Sequence, residues 1–228
     1  MGCYEAALMD FLELIGRYIA ERYVRFEEGS IWVGKERISF NFLPSAAREF
    51  MINSKLDPER YPAAQFLAAK RQGYDFVHQH GIPLVKDWTP IVKTGFEWMR
   101  LFGGGSFRSM RADNEGVFVV ATGKATFGME IKAEMPDNQE PVDYVTGGLI
   151  AGVLQYYAKE HRTYSVETSC VAQKGVQECT HVSGTRDKVM DYVERFSPDR
   201  IDWARKALGR TEKLEKEIKE KKWEDLIV

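Results

Sequence analysis

The sequence predicts a mixed helix-and-strand domain with appended segments, and three observations carry that expectation. Several stretches place apolar side chains at helical spacing. The run Val117-Phe118-Val119-Val120-Ala121-Thr122 is apolar almost without a break, the pattern of a strand covered on both faces. The segment from Tyr164 to Val182 reads as two strands folded on a tight turn at Lys174-Gly175, where glycine supplies the positive φ of a two-residue loop. At 228 residues, 44% hydrophobic and 29% charged, the chain has enough length to bury a sizeable core in one large domain. A net charge of −2 argues against a polyanion-binding surface, so no nucleic-acid partner is expected.

Taken in order, Ala7, Phe11, Leu14, Ile15, Tyr18, Ile19 and Phe26 predict an amphipathic helix from about Tyr4 to Glu28. Ser30–Val33 and Arg37–Phe40 flank Gly34-Lys35 and read as a short hairpin. A helix opens at Pro44 and runs through Met51. Pro62 then fits the first turn of a longer helix that ends near Gly81. A third helix covers roughly Trp88 to Phe102 and stops at Gly103-Gly104-Gly105, which lacks the Lys-Ser or Lys-Thr of a phosphate loop. The Val117 strand follows, then an extended segment over Thr126 to Lys132, then a glycine-bearing helix from about Tyr144 to Lys159. Glycines 147, 148 and 152 cost helix stability, and close approach of this helix to a sheet or to a partner chain is their expected return.

Beyond Gly184 a short amphipathic helix ends at Phe196. Ser197-Pro198-Asp199 starts another, whose Glu- and Lys-rich second half reads as a solvated tail. No apolar run reaches the length of a membrane span. The start of the chain lacks a signal peptide's basic-then-apolar order, and Ala6 stands where a myristoylation start wants Ser or Thr. A cytoplasmic protein is the expectation.

The chemistry gathers in the Tyr164–Val182 segment, which holds two of the three cysteines. A turn centred on Lys174-Gly175 sets Cys170 opposite Cys179, and directly opposed residues have Cβ atoms roughly 4.5–5.5 Å apart. Two thiols that close can share a metal, form a disulfide or simply pack. A structural zinc site wants four ligands, mostly thiolates, with carboxylates acceptable. Glu167 is three residues before Cys170, so a regular pleat puts it on the other face, and a bulge is needed to bring it in. Asp143 is the candidate fourth ligand, although it is equally a good N-cap for the helix that follows. His181 is the alternative, because it shares the face of Cys179. Nothing in the sequence forms a nucleophile–base arrangement or a dinucleotide fingerprint, so catalysis by this chain is not expected.

Pro141-Val142-Asp143, Gly148, Gly152, Glu167-x-x-Cys170, Gly175 and Cys179 together resemble the core of the 4-vinyl-reductase domain family, which also occurs as the sensor domain of bacterial aromatic-responsive regulators. Phe66–Gly73, and Leu101–Gly105 followed by the Val117 strand, are similar to the family's upstream segments. The resemblance spans about Phe40 to Gly184. It implies an α+β fold shared with subunits of the transport-particle tethering complex (TRAPP), an antiparallel sheet of about four to five strands packed with helices, commonly dimeric and with an apolar cavity. On that basis residues 1–39 are an N-terminal helix and hairpin, 40–185 the family-like domain and 186–228 a C-terminal helical extension.

In the sensor members a zinc ion is held by a Cys, a Glu and two further Cys. Glu167, Cys170 and Cys179 match three of these, and Asp143 falls at or near the first Cys, a departure from the pattern. The implied function is a module that binds or senses a hydrophobic small molecule, steadied by a zinc clamp and read out by a partner protein. Phe96, Trp98, Phe118, Val120 and Tyr156 are the expected ligand-binding residues. A dimeric adaptor of the TRAPP-like class is the alternative, and an accessory of tetrapyrrole vinyl reduction a further one.

Overall fold

The computed structural model of the chain describes residues 24–27, 30–33, 36–38, 43–79, 106–112, 117–123, 125–158 and 162–222. Contacts divide the chain into two units, Met1–Phe42 and Leu43–Val228. In the first, β1 (Val24–Glu27), β2 (Ser30–Val33) and β3 (Glu36–Ile38) form an antiparallel meander. The predicted hairpin is there, with Val33 opposite Glu36. The helix expected to reach Glu28 does not, because Val24–Glu27 alternates apolar and charged residues and pairs Arg25 with Trp32. The rest of that helix lies outside the described residues.

Among the described residues the second unit contains six helices and a four-stranded antiparallel sheet, an α+β architecture. The helices are α1 (Leu43–Leu56), α2 (Tyr61–Gln79), α3 (Thr126–Glu134), α4 (Tyr144–Ala158), α5 (Arg186–Phe196) and α6 (Ile201–Glu220), with a 3-10 turn at Pro198–Arg200 before α6. The strands β4 (Ser106–Ala112), β5 (Val117–Gly123), β6 (Thr163–Ser169) and β7 (Glu178–Thr185) lie in the order β4-β5-β7-β6. β5 is the buried strand its apolar run predicts. β4 was not anticipated: as an edge strand it carries Arg108, paired to Glu178 at 2.6 Å, and shows no apolar run.

Period-two alternation sorts the sheet into two faces. Val117, Val119, Tyr164, Val166 and Val182 pack against Val189 and Val193 of α5 and Ala204 and Leu208 of α6. The opposite face carries Phe118 and Val120, which pack with Ile150 of α4. Helix α4 in turn lies tightly on α2. A Cβ placed on Gly152 would stand 2.0 Å from the Lys70 carbonyl oxygen, and one on Gly148 would stand 2.4 Å from that of Phe66. Only glycine permits that separation, and Gly148 and Gly152 make their close approach to a helix rather than to the sheet or partner chain expected.

Two segments depart from the expectation. Thr126–Glu134 is helical rather than extended, since Phe127 and Ile131, four apart, both reach the cluster around Phe50. The charge-dense final helix is not a solvated tail. Leu214 and Ile218 pack on Phe66 and Leu67 of α2, and Arg210, Thr211 and Glu215 are buried.

Candidate metal centre and the sheet face beside it

The predicted hairpin is more intricate in its loop and simpler in its strands than a two-residue turn. Ser169 pairs with Thr180, which is the register centred on Lys174-Gly175. The strands stop there, and residues 170–177 form a longer loop with Gln173 N–H donating to the Cys170 carbonyl at 2.9 Å and Gly175 at φ +79°. A register shift between Glu167 and Ser169 then sets Glu167 opposite His181. This is the bulge that strand parity demanded, and it brings Glu167 to the face of Cys179 and His181. The Trp203 indole N–H of α6 donates to the Glu167 carbonyl at 3.0 Å, giving the disturbed ladder a partner.

The two thiols are both buried and free, with sulfurs 3.6 Å apart. A disulfide bond is about 2.05 Å long. Two thiolates on one tetrahedral zinc at about 2.3 Å each stand about 3.8 Å apart. The observed spacing therefore matches shared coordination more closely than a covalent link. The Val171 N–H also donates to Cys179 Sγ, at 3.3 Å. Around the pair, Ala47, Phe50, Ala125, Ile131, Val142, Val171 and Ala172 exclude water.

The structure brings Glu167, Cys170 and Cys179 together, each offering a ligand atom within 4.8 Å of the others. Asp143 gathers elsewhere, in a second group with Glu167 and His181 at the same mutual limit. Asp143 is also the N-cap of α4, accepting the Thr146 N–H on Oδ1 at 3.1 Å. Its own N–H donates to Glu167 Oε2 at 2.7 Å. His181 Nε2 stands 3.8 Å from Asp143 Oδ2, beyond hydrogen-bonding distance. Glu167 Oε1 and both His181 ring nitrogens are buried with no hydrogen-bond partner. Polar atoms left this way in a core are costly, and a missing ion is one of the standard explanations. These groups fit a metal.

The electrostatics agree. Burial pushes the Glu167 carboxyl well above the usual carboxylate range, and the neighbouring Cys170 adds to it against the opposing pull of His181. Burial also raises Asp143, but the facing His181 and the Thr146 N–H outweigh it and hold the group below its ordinary value. Burial alone would lower His181, yet Asp143 and Glu167 raise it. The Cys179 S–H steadies the Cys170 thiolate and brings Cys170 down to about 7, while Cys179 is pushed up. One thiolate is thus available near neutral pH, the form a metal takes.

Of the expected ligand-binding residues, Phe118 and Val120 stand together with Ile150, Leu154 and Phe107 on the sheet face that bears His181, and Val120 is directly opposite His181. Tyr156 lies apart, its ring 5.7 Å from that of Tyr74 and 6.3 Å from that of His78. Phe96 and Trp98 lie outside the described residues. Ile150, Leu154 and Phe107, which pack with Phe118 and Val120, were not named from the sequence; the first two recur at four-residue spacing along α4, which was a legible signal.

The α+β fold has a solved counterpart. The chain is similar to the phenol-responsive sensory domain of the transcription activator PoxR with phenol, with a TM-score of 0.65 and 17% identity over 80% of this chain and 92% of that one. A vinyl-4-reductase family protein from Methanocaldococcus jannaschii is similar with a TM-score of 0.39 and 14% identity, over 66% of this chain and 85% of that one. A trafficking protein particle complex subunit 3 from Naegleria fowleri, covalently bound to palmitic acid, gives a TM-score of 0.41 and 12% identity, over 63% and 94%. No family model matches the chain, and no curated protein matches it in sequence. The sensory domain is of a kind the sequence resembles, and the α+β fold expected is the fold observed.

Proposed function

We propose that this chain is a small-molecule-binding module that senses a hydrophobic, aromatic ligand, is clamped by a zinc ion and reports through a partner protein. The observation that carries the reading is the fold held in common with a phenol-responsive sensory domain over 80% of the chain. Two local features support it. The apolar group of Phe118, Val120 and Ile150 lies on the same sheet face as a buried polar cluster, the pairing of apolar lining and few polar groups that small-molecule sites use. The thiol spacing suits a soft divalent ion.

In this reading Glu167, Cys170 and Cys179 hold the zinc, and Asp143 is the proposed fourth ligand where a single ion is bound. The ion supplies a structural tie between the β6–β7 loop and the start of α4. Phe96, Trp98, Phe118, Val120 and Tyr156 remain the proposed ligand contacts. Among the described residues no helix is long and apolar enough to cross a membrane.

A homodimer is part of the proposal, because Ile52 and Leu56 of α1, four apart, are 58% and 78% exposed and form an apolar stripe. The adaptor alternative rests on that stripe alone. Native mass spectrometry tests all of these at once. The sensing reading expects a dimer whose mass rises on addition of phenol and which carries zinc. A dimer without zinc that takes up no aromatic compound leaves the adaptor standing instead.

A further inference from the structure

The thiol pair does not account for the polar cluster beside it. Asp143, Glu167 and His181 are 4%, 8% and 0% exposed, and each offers a ligand atom within 4.8 Å of the other two. Their orientation is set by the backbone. Asp143 gives Oδ1 to the Thr146 N–H and leaves Oδ2 facing His181. Glu167 gives Oε2 to the Asp143 N–H and leaves Oε1 without a partner. His181 sits on the central strand β7, held between Val120 and Glu167 of the flanking strands, and neither ring nitrogen has a hydrogen-bond partner. Each carboxylate is thus aimed by one backbone N–H and presents its other oxygen, the outer-shell arrangement that orients metal ligands.

We propose that Asp143, Glu167 and His181 form a second divalent-cation position beside the thiol pair, with Glu167 shared between the two. The position stands on its own three residues, and only the shared, two-ion form rests on the zinc reading of the thiols. Charge favours two ions. Once metal binding displaces their protons, Asp143, Glu167 and the two thiols together carry four negative charges, which two divalent ions offset and one does not, and buried uncompensated charge is costly. The donor set also differs in kind. One imidazole and two carboxylates suit a borderline or hard ion such as zinc, manganese or ferrous iron, whereas the thiols select a softer one. Three protein ligands leave a coordination place open, which a water or an oxygen donor of a bound ligand fills.

Cobalt(II) titration of the metal-free full chain, followed optically and by metal analysis, tests this. Thiolate-bound cobalt gives an intense charge-transfer band, and nitrogen–oxygen coordination gives weak visible bands alone. The wild type should take two equivalents. His181→Ala should take one and keep the intense band. Cys170→Ser with Cys179→Ser should take one and lose that band. Asp143→Asn keeps an acceptor for the helix cap, so it should stay folded and lose one equivalent. A wild type that binds one equivalent, unchanged by His181→Ala, overturns the proposal. So does a single thiolate-banded equivalent that His181→Ala abolishes, since His181 then completes one four-ligand site. A wild type with one equivalent and no intense band, lost in Asp143→Asn, sinks the thiol reading and leaves the second position standing.

Discussion

Two buried polar clusters divide this molecule, and they solve the same physical problem in opposite ways. One is the Asp143–Glu167–His181 group with its two thiols. The other joins α2, the start of β6 and α6, where Lys70 Nζ stands 3.7 Å from Glu215 Oε1 and Arg162 Nη1 stands 3.3 Å from Glu215 Oε2. Lys70 also lies over the Tyr164 ring, 5.3 Å from its centre. This second cluster carries its countercharge on its own side chains, with Lys70 Nζ and Glu215 Oε1 facing each other beyond hydrogen-bonding distance. The first contains four anionic donors and, among the described residues, His181 as the cationic group that bears on its carboxylates. An acid buried opposite a base ties α6 to α2, whereas a cluster with more acidic donors than basic groups fits a cation.

The comparison breaks most sharply at Glu215. Glu215→Leu should destabilise the chain by about 3–5 kcal/mol in urea titration, because Lys70 is left charged and buried. Adding Lys70→Met should recover that loss or exceed it by about 1–4 kcal/mol. Failure of the double variant to recover would mean that the pair does more than hold α6. Chelation probes the other cluster. Wild type saturated to about 100 times Kd should lose about 2.7 kcal/mol on addition of EDTA, seen as a lower Tm. The Lys70→Met, Glu215→Leu variant should lose as much, and Cys170→Ser with Cys179→Ser markedly less.

The pH response separates the clusters again. Burial brings Lys70 from 10.5 down to about 8, against the opposing pull of Glu215. The unfolded chain therefore binds the extra proton between those values, and stability attributable to Lys70 rises with pH across that window. Relative to Lys70→Met, wild type should gain up to about 1.4 kcal/mol per pH unit above 8, measured by urea titration at several pH values. A flat difference would show that Lys70 keeps its proton. The smallest effect belongs to the link between the clusters. Trp203→Phe removes the indole bond to the Glu167 carbonyl and should cost about 0.5–1.5 kcal/mol by the same measurement. A small fall in metal affinity should accompany it, through the loosened bulge.

Most elements of the second unit were legible because each rests on local pattern. The β5 run, the Pro62 helix start and the glycine-bearing helix depend on neighbours in sequence, and all three stand where periodicity put them. Thr126–Glu134 failed because a single apolar–polar alternation is short and ambiguous; only the pocket beside Phe50 decides that Phe127 and Ile131 belong on one helical side. The tail failed for a related reason. Glu215 read as solvent-facing, and nothing in the sequence announces that Lys70, far back in the chain, waits to meet it.

At the candidate metal centre the sequence by itself determined the donors: which side chains can ligate, that Cys170 and Cys179 come close, and that a bulge must intervene if Glu167 is to join them. Tertiary structure decided the grouping. The bulge between Glu167 and Ser169, the capping of α4 by Asp143 and the packing of that helix over the sheet place Asp143 with His181 rather than with the thiols. Strand parity and cap preference are local rules and can be read from spacing. Which oxygen of a carboxylate stays free depends on a backbone N–H delivered from another element, and that is a property of the fold alone.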